Sequence, residues 1–255
     1  MDVGVKTPLL DFFRKGEVAK DVRLQAAKGA LATRAHEQLA LLILLTSDVD
    51  PEVVAAAEAT LEIIPAALLS AFIARPDVSA DMREFFAKRG VTPADVPAPE
   101  ADTPIVDTAA APEIADDEDD EKSAMQRLSE MTVPQKLSRA TKGTREERAI
   151  LIRDPNRLIA VAVLSSPKLT DSEVESIAKM SSVSDEILRL IATNRNWMKN
   201  YVVASALSRN PKTPLAVSMN LLSRLNDKDL KALSTNRNVP EVLRASARKK
   251  LVFEK

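Results

Sequence analysis

The chain has 255 residues, of which 45% are hydrophobic, 3% aromatic and 29% charged, with 5 Gly, no Cys and one His, His36. That length supports one large or two small cores without a disulfide or metal staple, and the lack of Cys excludes thiol nucleophiles, iron-sulfur ligation, Cys-type zinc sites and redox switching. A single imidazole excludes any site built on two, and a formal net charge of -1, from 36 Lys+Arg and 37 Asp+Glu, looks electrostatically neutral.

Ala, Leu, Val, Lys and Glu dominate the composition, a mix that favours helix over sheet. Met1 to Lys6 lack the basic segment and following apolar stretch of a secretory signal. Residues 16–32 place Val18, Val22, Leu24, Ala27 and Leu31 at roughly helical spacing, and residues 35–46 predict a strongly apolar, buried helix. Its apolar run, Leu39 to Leu45, is far shorter than the about 20 residues a membrane-crossing helix needs. The expectation is a soluble, cytoplasmic protein with no membrane partner. His36 opens this helix without a second imidazole, so a surface or capping role is expected rather than catalysis. Asp50-Pro51-Glu52 is a start signal, with Asp50 as the cap and Pro51 in the first helical position. A helix over 51–63 follows. Pro65 ends it, another runs to about Ala74, and Pro76 to Asp81 restart one that stops near Gly90.

Composition then changes. Residues 91–124 contain five prolines and the run Asp116-Asp117-Glu118-Asp119-Asp120-Glu121. Such a segment buries too little apolar surface to offset the entropy of ordering it. It predicts a disordered acidic, Pro-rich linker between an N-terminal helical-repeat block, 7–90, and a C-terminal one, 125–253. The acidic run lacks the spaced ligands and central Gly of a calcium loop.

The C-terminal half repeats itself. Residues 185–196, from Asp185 to Asn196, align without gaps on residues 227–238, with six of twelve positions identical at an offset of 42. The same offset upstream sets Arg153-Asp154 against Arg195-Asn196, which predicts Asp154, Asn196 and Asn238 as equivalent helix caps. Leu164-Ser165-Ser166-Pro167-Lys168 also matches Leu207-Ser208-Arg209-Asn210-Pro211-Lys212 with one residue of slippage. Each unit then holds at least two helices joined by tight Asn/Pro turns, and one unit alone cannot bury its apolar face, so the units are expected to stack.

On the stretches Ser208 to Pro214 and Val239 to Ala245, with an echo at Asp48 to Ala57, the chain resembles the HEAT-like and leucine-rich-variant families of α-helical repeats. The resemblance implies an all-α fold of two solenoid-like blocks that bind protein or nucleic acid. Leucine-rich-variant proteins with an iron-sulfur cluster hold it by cysteines. None exists here, so no cofactor is carried over.

Counted by segment, the charge is far from neutral. Residues 1–90 carry -2, residues 91–125 carry -10 and residues 126–255 carry +11. A repeat block so basic seeks an anionic partner, and the acidic arm beside it is one. Arg153, Arg195 and Arg237 recur every 42 residues, which predicts one guanidinium per turn along one edge of the stack. They read as a row of anion sites, or more simply as braces that hold inter-repeat loops through backbone carbonyls. Arg209 belongs to the same basic surface. Trp197 and Tyr201, the sole Trp and Tyr, are expected four residues apart on one helix, as packing residues first and as a base-stacking pair second.

No catalytic centre is proposed. Five scattered glycines form no phosphate loop, and Glu146-Glu147 and the pair Glu173 and Glu175 look solvated. The expected function is a non-enzymatic adaptor or scaffold binding protein partners through helical repeats, without metal or cofactor. The alternative is nucleic-acid binding by residues 125–253, moderated by the acidic linker.

Overall fold

The computed structural model describes residues 7–98, 103–106 and 124–253, and every regular element among them is helical. In chain order these are α1 (Pro8–Arg14), α2 (Lys20–Ala27), α3 (Ala35–Leu45), α4 (Pro51–Ile63), α5 (Ala66–Ile73) and α6 (Ala80–Ala87). After the acidic stretch come α7 (Ala124–Glu130), α8 (Val133–Lys142), α9 (Arg145–Leu151), α10 (Arg157–Leu164) and α11 (Asp171–Lys179). The last are α12 (Asp185–Thr193), α13 (Tyr201–Arg209), α14 (Leu215–Leu221), α15 (Asp227–Thr235) and α16 (Glu241–Phe253), with 3-10 turns at Trp197–Lys199 and Leu222–Arg224. No single helix among the described residues is long and apolar enough to cross a membrane; α4 and α5 pass that test only as a pair bent by 90°.

The chain divides into two compact units, Met1–Arg148 with Val161–Pro167, and Ala149–Ala160 with Lys168–Lys255. In the first, α3 is apolar nearly all round and therefore sits inside, with α1, α2 and α4 packed about it. The start signal works as its chemistry requires: Asp50 Oδ1 accepts from Glu52 N at 3.0 Å, with Pro51 following. The helix expected over 16–32 is shorter, because Gly29 at φ +82° takes a left-handed turn after α2 that a helix cannot continue through. His36 is not the surface residue expected. Its ring is edge-on to Phe72 at 4.6 Å and its Nε2 lies 3.7 Å from Asp77 Oδ2, half-buried under α5.

Composition draws the acidic linker wider than the structure does. Ala94 N donates to Ser70 O at 3.0 Å and Ala98 N to Ala71 O at 2.8 Å, so residues 91–98 run back over the end of α5, where helix carbonyls need donors. Residues 103–106 are bound as well, through Gln38. The run Asp116 to Glu121 lies outside the described residues. Helix α8, basic in sequence, packs its Leu137, Ala140 and Thr141 face in the first unit, where it meets α2. Packing follows apolar stripes, whereas the charge count follows the solvent faces.

In the second unit the helices recur with the sequence period. Helices α12 and α15 start 42 residues apart, while α13 starts 44 after α10 and α14 starts 44 after α11. The core at the chain's end is formed by Leu222, Leu225, Leu230, Leu233, Val239 and Leu243, on α15, α16 and the turns before them.

Candidate binding face of the C-terminal helices

The turns that follow α12 and α15 share the sequence Asn-Arg-Asn, and the first Asn shapes each. Asn194 Oδ1 accepts from Asn196 N at 3.0 Å, and Asn236 Oδ1 accepts from Asn238 N at 3.0 Å. Asp154 makes the same turn after α9, accepting from Asn156 N at 2.8 Å. Asp154 and Asn196 are thus not the caps that the repeat predicts. Capping falls to Asn156, which accepts from Leu158 N at 3.0 Å, and to Asn200, which accepts from Val202 N at 2.9 Å. Asp154 is taken up by the turn itself, and at α13 the 3-10 turn at Trp197–Lys199 delays the start of the helix.

With the first Asn accounted for, the arginines divide. Arg153 is exposed and its Nε donates to Ala149 O at 3.1 Å, a carbonyl brace of its own helix. Arg195 and Arg237 are exposed and have neither ion pair nor hydrogen bond among the described residues.

Trp197 and Tyr201 do not share a helix. Asn200, extended at ψ 116°, separates the 3-10 turn of Trp197 from Tyr201, the first residue of α13. Trp197 is half-buried, while Tyr201 is exposed with its hydroxyl engaged. Tyr201, Ser205 and Arg209 lie at i, i+4 and i+8 on one face of α13, and all three bond Asp229 of α15. Tyr201 and Ser205 donate to Oδ2, Ser205 at 3.1 Å, and Arg209 pairs with Oδ1. Asn226, the cap of α15, donates its N–H to the Tyr201 hydroxyl at 3.1 Å and accepts from Asp229 N at 2.8 Å. An equivalent joint lies one period earlier, where Arg157 at the start of α10 holds Glu186 of α12 by two bonds of 2.7 Å.

Burial alone pushes the Asp229 carboxyl up, but the hydrogen bonds from Tyr201 and Ser205 and the charges of Arg209 and Lys228 outweigh it and hold the group below its ordinary value. Burial pushes the Tyr201 hydroxyl up, and the bond it donates to Asp229 adds to the rise. A carboxylate with a depressed folded pKa stabilises above the unfolded value of about 3.9, and that contribution is lost as pH falls through the folded pKa. Urea midpoints of Asp229→Asn and the unaltered chain are therefore expected to differ at pH 7 and to converge by pH 3. An equal difference at both pH values would show that the charge of Asp229 is not what the joint uses.

A groove of about 880 Å³ lies over this joint, lined by Lys179, Tyr201, Val202, Arg209, Asp229 and Asn238. Of the residues singled out in sequence, Tyr201 and Arg209 line it, whereas Arg153, Arg195, Arg237 and Trp197 do not. Lys179 is exposed at the end of α11. Sequence reasoning missed Asp229, Ser205 and Lys179; the i, i+4, i+8 spacing on α13 was a signal, but their acidic partner lies 20 to 28 residues away.

Two carboxylates expected in solvent are buried. Glu173 Oε2 accepts from Thr170 N at 2.9 Å and Glu147 Oε2 from Thr144 N at 2.8 Å, each closing the first turn of its helix. Gly143 belongs to the second arrangement, since a Cβ there would stand 2.3 Å from Glu147 Oε2. Among the described residues no three or more His, Cys, Asp or Glu gather as a metal would require. Comparison with known proteins finds no matching family model, curated protein or solved structure.

Proposed function

We propose that the chain is a non-enzymatic adaptor of HEAT-like, α-solenoid-type helical repeats, whose C-terminal helices hold the acidic surface of a protein partner. The observation that carries this is the pair Arg195 and Arg237: equivalent in the repeat, exposed, and without an ion pair or hydrogen bond among the described residues. A stack of repeats sets equivalent side chains along one edge, so two such guanidiniums suit an extended acidic surface better than a single small anion. The joints Arg157 to Glu186 and Tyr201 to Asp229 support the stacked reading, since each links the start of one helix to the next period.

A second reading, nucleic acid, is favoured by one further observation. Residues 149–160 and 168–255 hold 18 Lys+Arg against 10 Asp+Glu, a surplus that a phosphate backbone also attracts. Fluorescence anisotropy separates the two, with a 20-residue polyglutamate peptide and a 20-base-pair duplex titrated into the full chain over a range of salt. The peptide is expected to bind the more tightly. Tighter binding of the duplex, with affinity falling steeply as salt rises, overturns the adaptor reading; binding of neither overturns both. The double charge reversal Arg195→Glu with Arg237→Glu should weaken peptide binding roughly tenfold while moving stability by no more than about 0.5 kcal/mol, because both side chains are exposed and neither has a partner among the described residues.

A further inference from the structure

Gln38 of α3 and the turn at Gly29 hold a piece of this chain as a receptor holds a peptide. Gln38 is 1% exposed, and its amide is fully committed. Nε2 donates to Gly29 O and Val106 O, both at 2.9 Å, and Oε1 accepts from Ile105 N at 2.8 Å and Val106 N at 2.9 Å. Three of these four bonds go to main-chain atoms of residues 105 and 106, which belong to no helix. One oxygen that accepts from two consecutive amides requires the bend found at residues 105–106, and a buried amide used this way reads that main chain rather than side-chain identity.

Selectivity comes from the walls. A Cβ at Gly29 would lie 3.4 Å from the Val106 side chain and 3.2 Å from Gln38 Nε2, so its absence leaves room for both to close on each other. Pro104, Ile105 and Val106 are half-buried and Thr103 is exposed. The site thus takes small, rigid apolar side chains on a bent backbone.

We propose that this contact is a peptide-recognition site, filled in cis by residues 103–106 and able to take from a partner a bent segment of the same chemistry, a Pro followed by two β-branched residues. The chain's own segment competes as a tethered ligand at an effective concentration on the order of millimolar, so it sets the threshold that a partner must exceed. This inference does not depend on the basic face of the C-terminal helices.

The probe is a fluorescein-labelled peptide of residues 101–108, Ala-Asp-Thr-Pro-Ile-Val-Asp-Thr, titrated into the full chain. It is expected to bind the variant Ile105→Gly with Val106→Gly, whose own segment is weakened, at least tenfold more tightly than the unaltered chain. Adding Gln38→Leu to that variant should remove at least tenfold of the gain. Equal affinity for both chains, or no binding to the weakened one, overturns the proposal. A second measurement needs no variant: unlabelled peptide in millimolar excess over the unaltered chain should speed hydrogen exchange at the Ile105 and Val106 amides. Exchange unchanged at saturating peptide overturns the proposal even if the variants fail to fold.

Discussion

Replacing Asn210 with alanine is expected to cost the C-terminal helices about 2–4 kcal/mol, read as a lowered urea midpoint, because it empties a buried polar joint. Asn210 is 5% exposed, and its Nδ2 donates to Ala178 O at 2.8 Å and Met180 O at 3.0 Å while its Oδ1 accepts from Lys212 N at 2.9 Å. The two carbonyls close the end of α11, where a helix runs out of donors of its own. Once the amide is gone they stay unpaired, at a penalty of about 1–3 kcal/mol for a buried group. Asn210→Asp keeps the acceptor for Lys212 but loses the donor and buries a charge, so it should be at least as damaging as alanine. One period earlier the same place is held by Ser166, whose Oγ donates to Thr141 O at 2.7 Å. Loss of that neutral bond contributes about 1 kcal/mol to the cost of Ser166→Ala. If Asn210→Ala costs no more than about 1 kcal/mol, the three bonds of Asn210 do not all contribute and the reading of this joint fails.

Truncating Leu230 to alanine should cost about 2–5 kcal/mol by leaving a cavity in the last layer of the chain. Leu230 is fully buried, beside Leu233, Val239 and Leu243, where α15 and α16 pack. Native-state hydrogen exchange is expected to show α16 opening first in this variant. Val242, next to Leu243 but 57% exposed, supplies the control: Val242→Ala should change stability by no more than about 0.5 kcal/mol. Similar losses at the two positions would mean that α16 does not rest on this cluster.

Much of the local structure could be read before any coordinates. Asp50-Pro51-Glu52 starts α4 and Pro65 separates it from α5, because capping and the missing proline N–H act within one turn of chain. The 42-residue offset between Asp185 and Asp227 returns as the spacing of α12 and α15. Where reading failed, the failure was also local. A gapless alignment placed caps at Asp154 and Asn196, yet Asp154 shapes the turn and leaves the cap of α10 to Asn156, while the 3-10 turn at Trp197–Lys199 moves the cap of α13 to Asn200. Glu147 and Glu173 looked like solvent charges because the sequence around them is charged, and became buried because their oxygens reach back to the first amides of their own helices.

The segment charges, -10 for residues 91–125 and +11 for residues 126–255, remain the property that the sequence alone establishes, together with helix over sheet and the repeat at 42 residues. Each is a matter of composition or of neighbours a few residues apart. Which of the recurring arginines is occupied was not. Arg153 turns to Ala149 O while Arg195 and Arg237 are left exposed, and the two carbonyls that need Asn210 lie about 30 residues upstream of it. Tertiary structure alone also decided that Thr103 to Val106, polar and proline-bearing in sequence, are held by the amide of Gln38. The physical reason is common to all three. A buried polar group must find its partner wherever packing brings one within about 3 Å, and no periodicity along the chain records that distance.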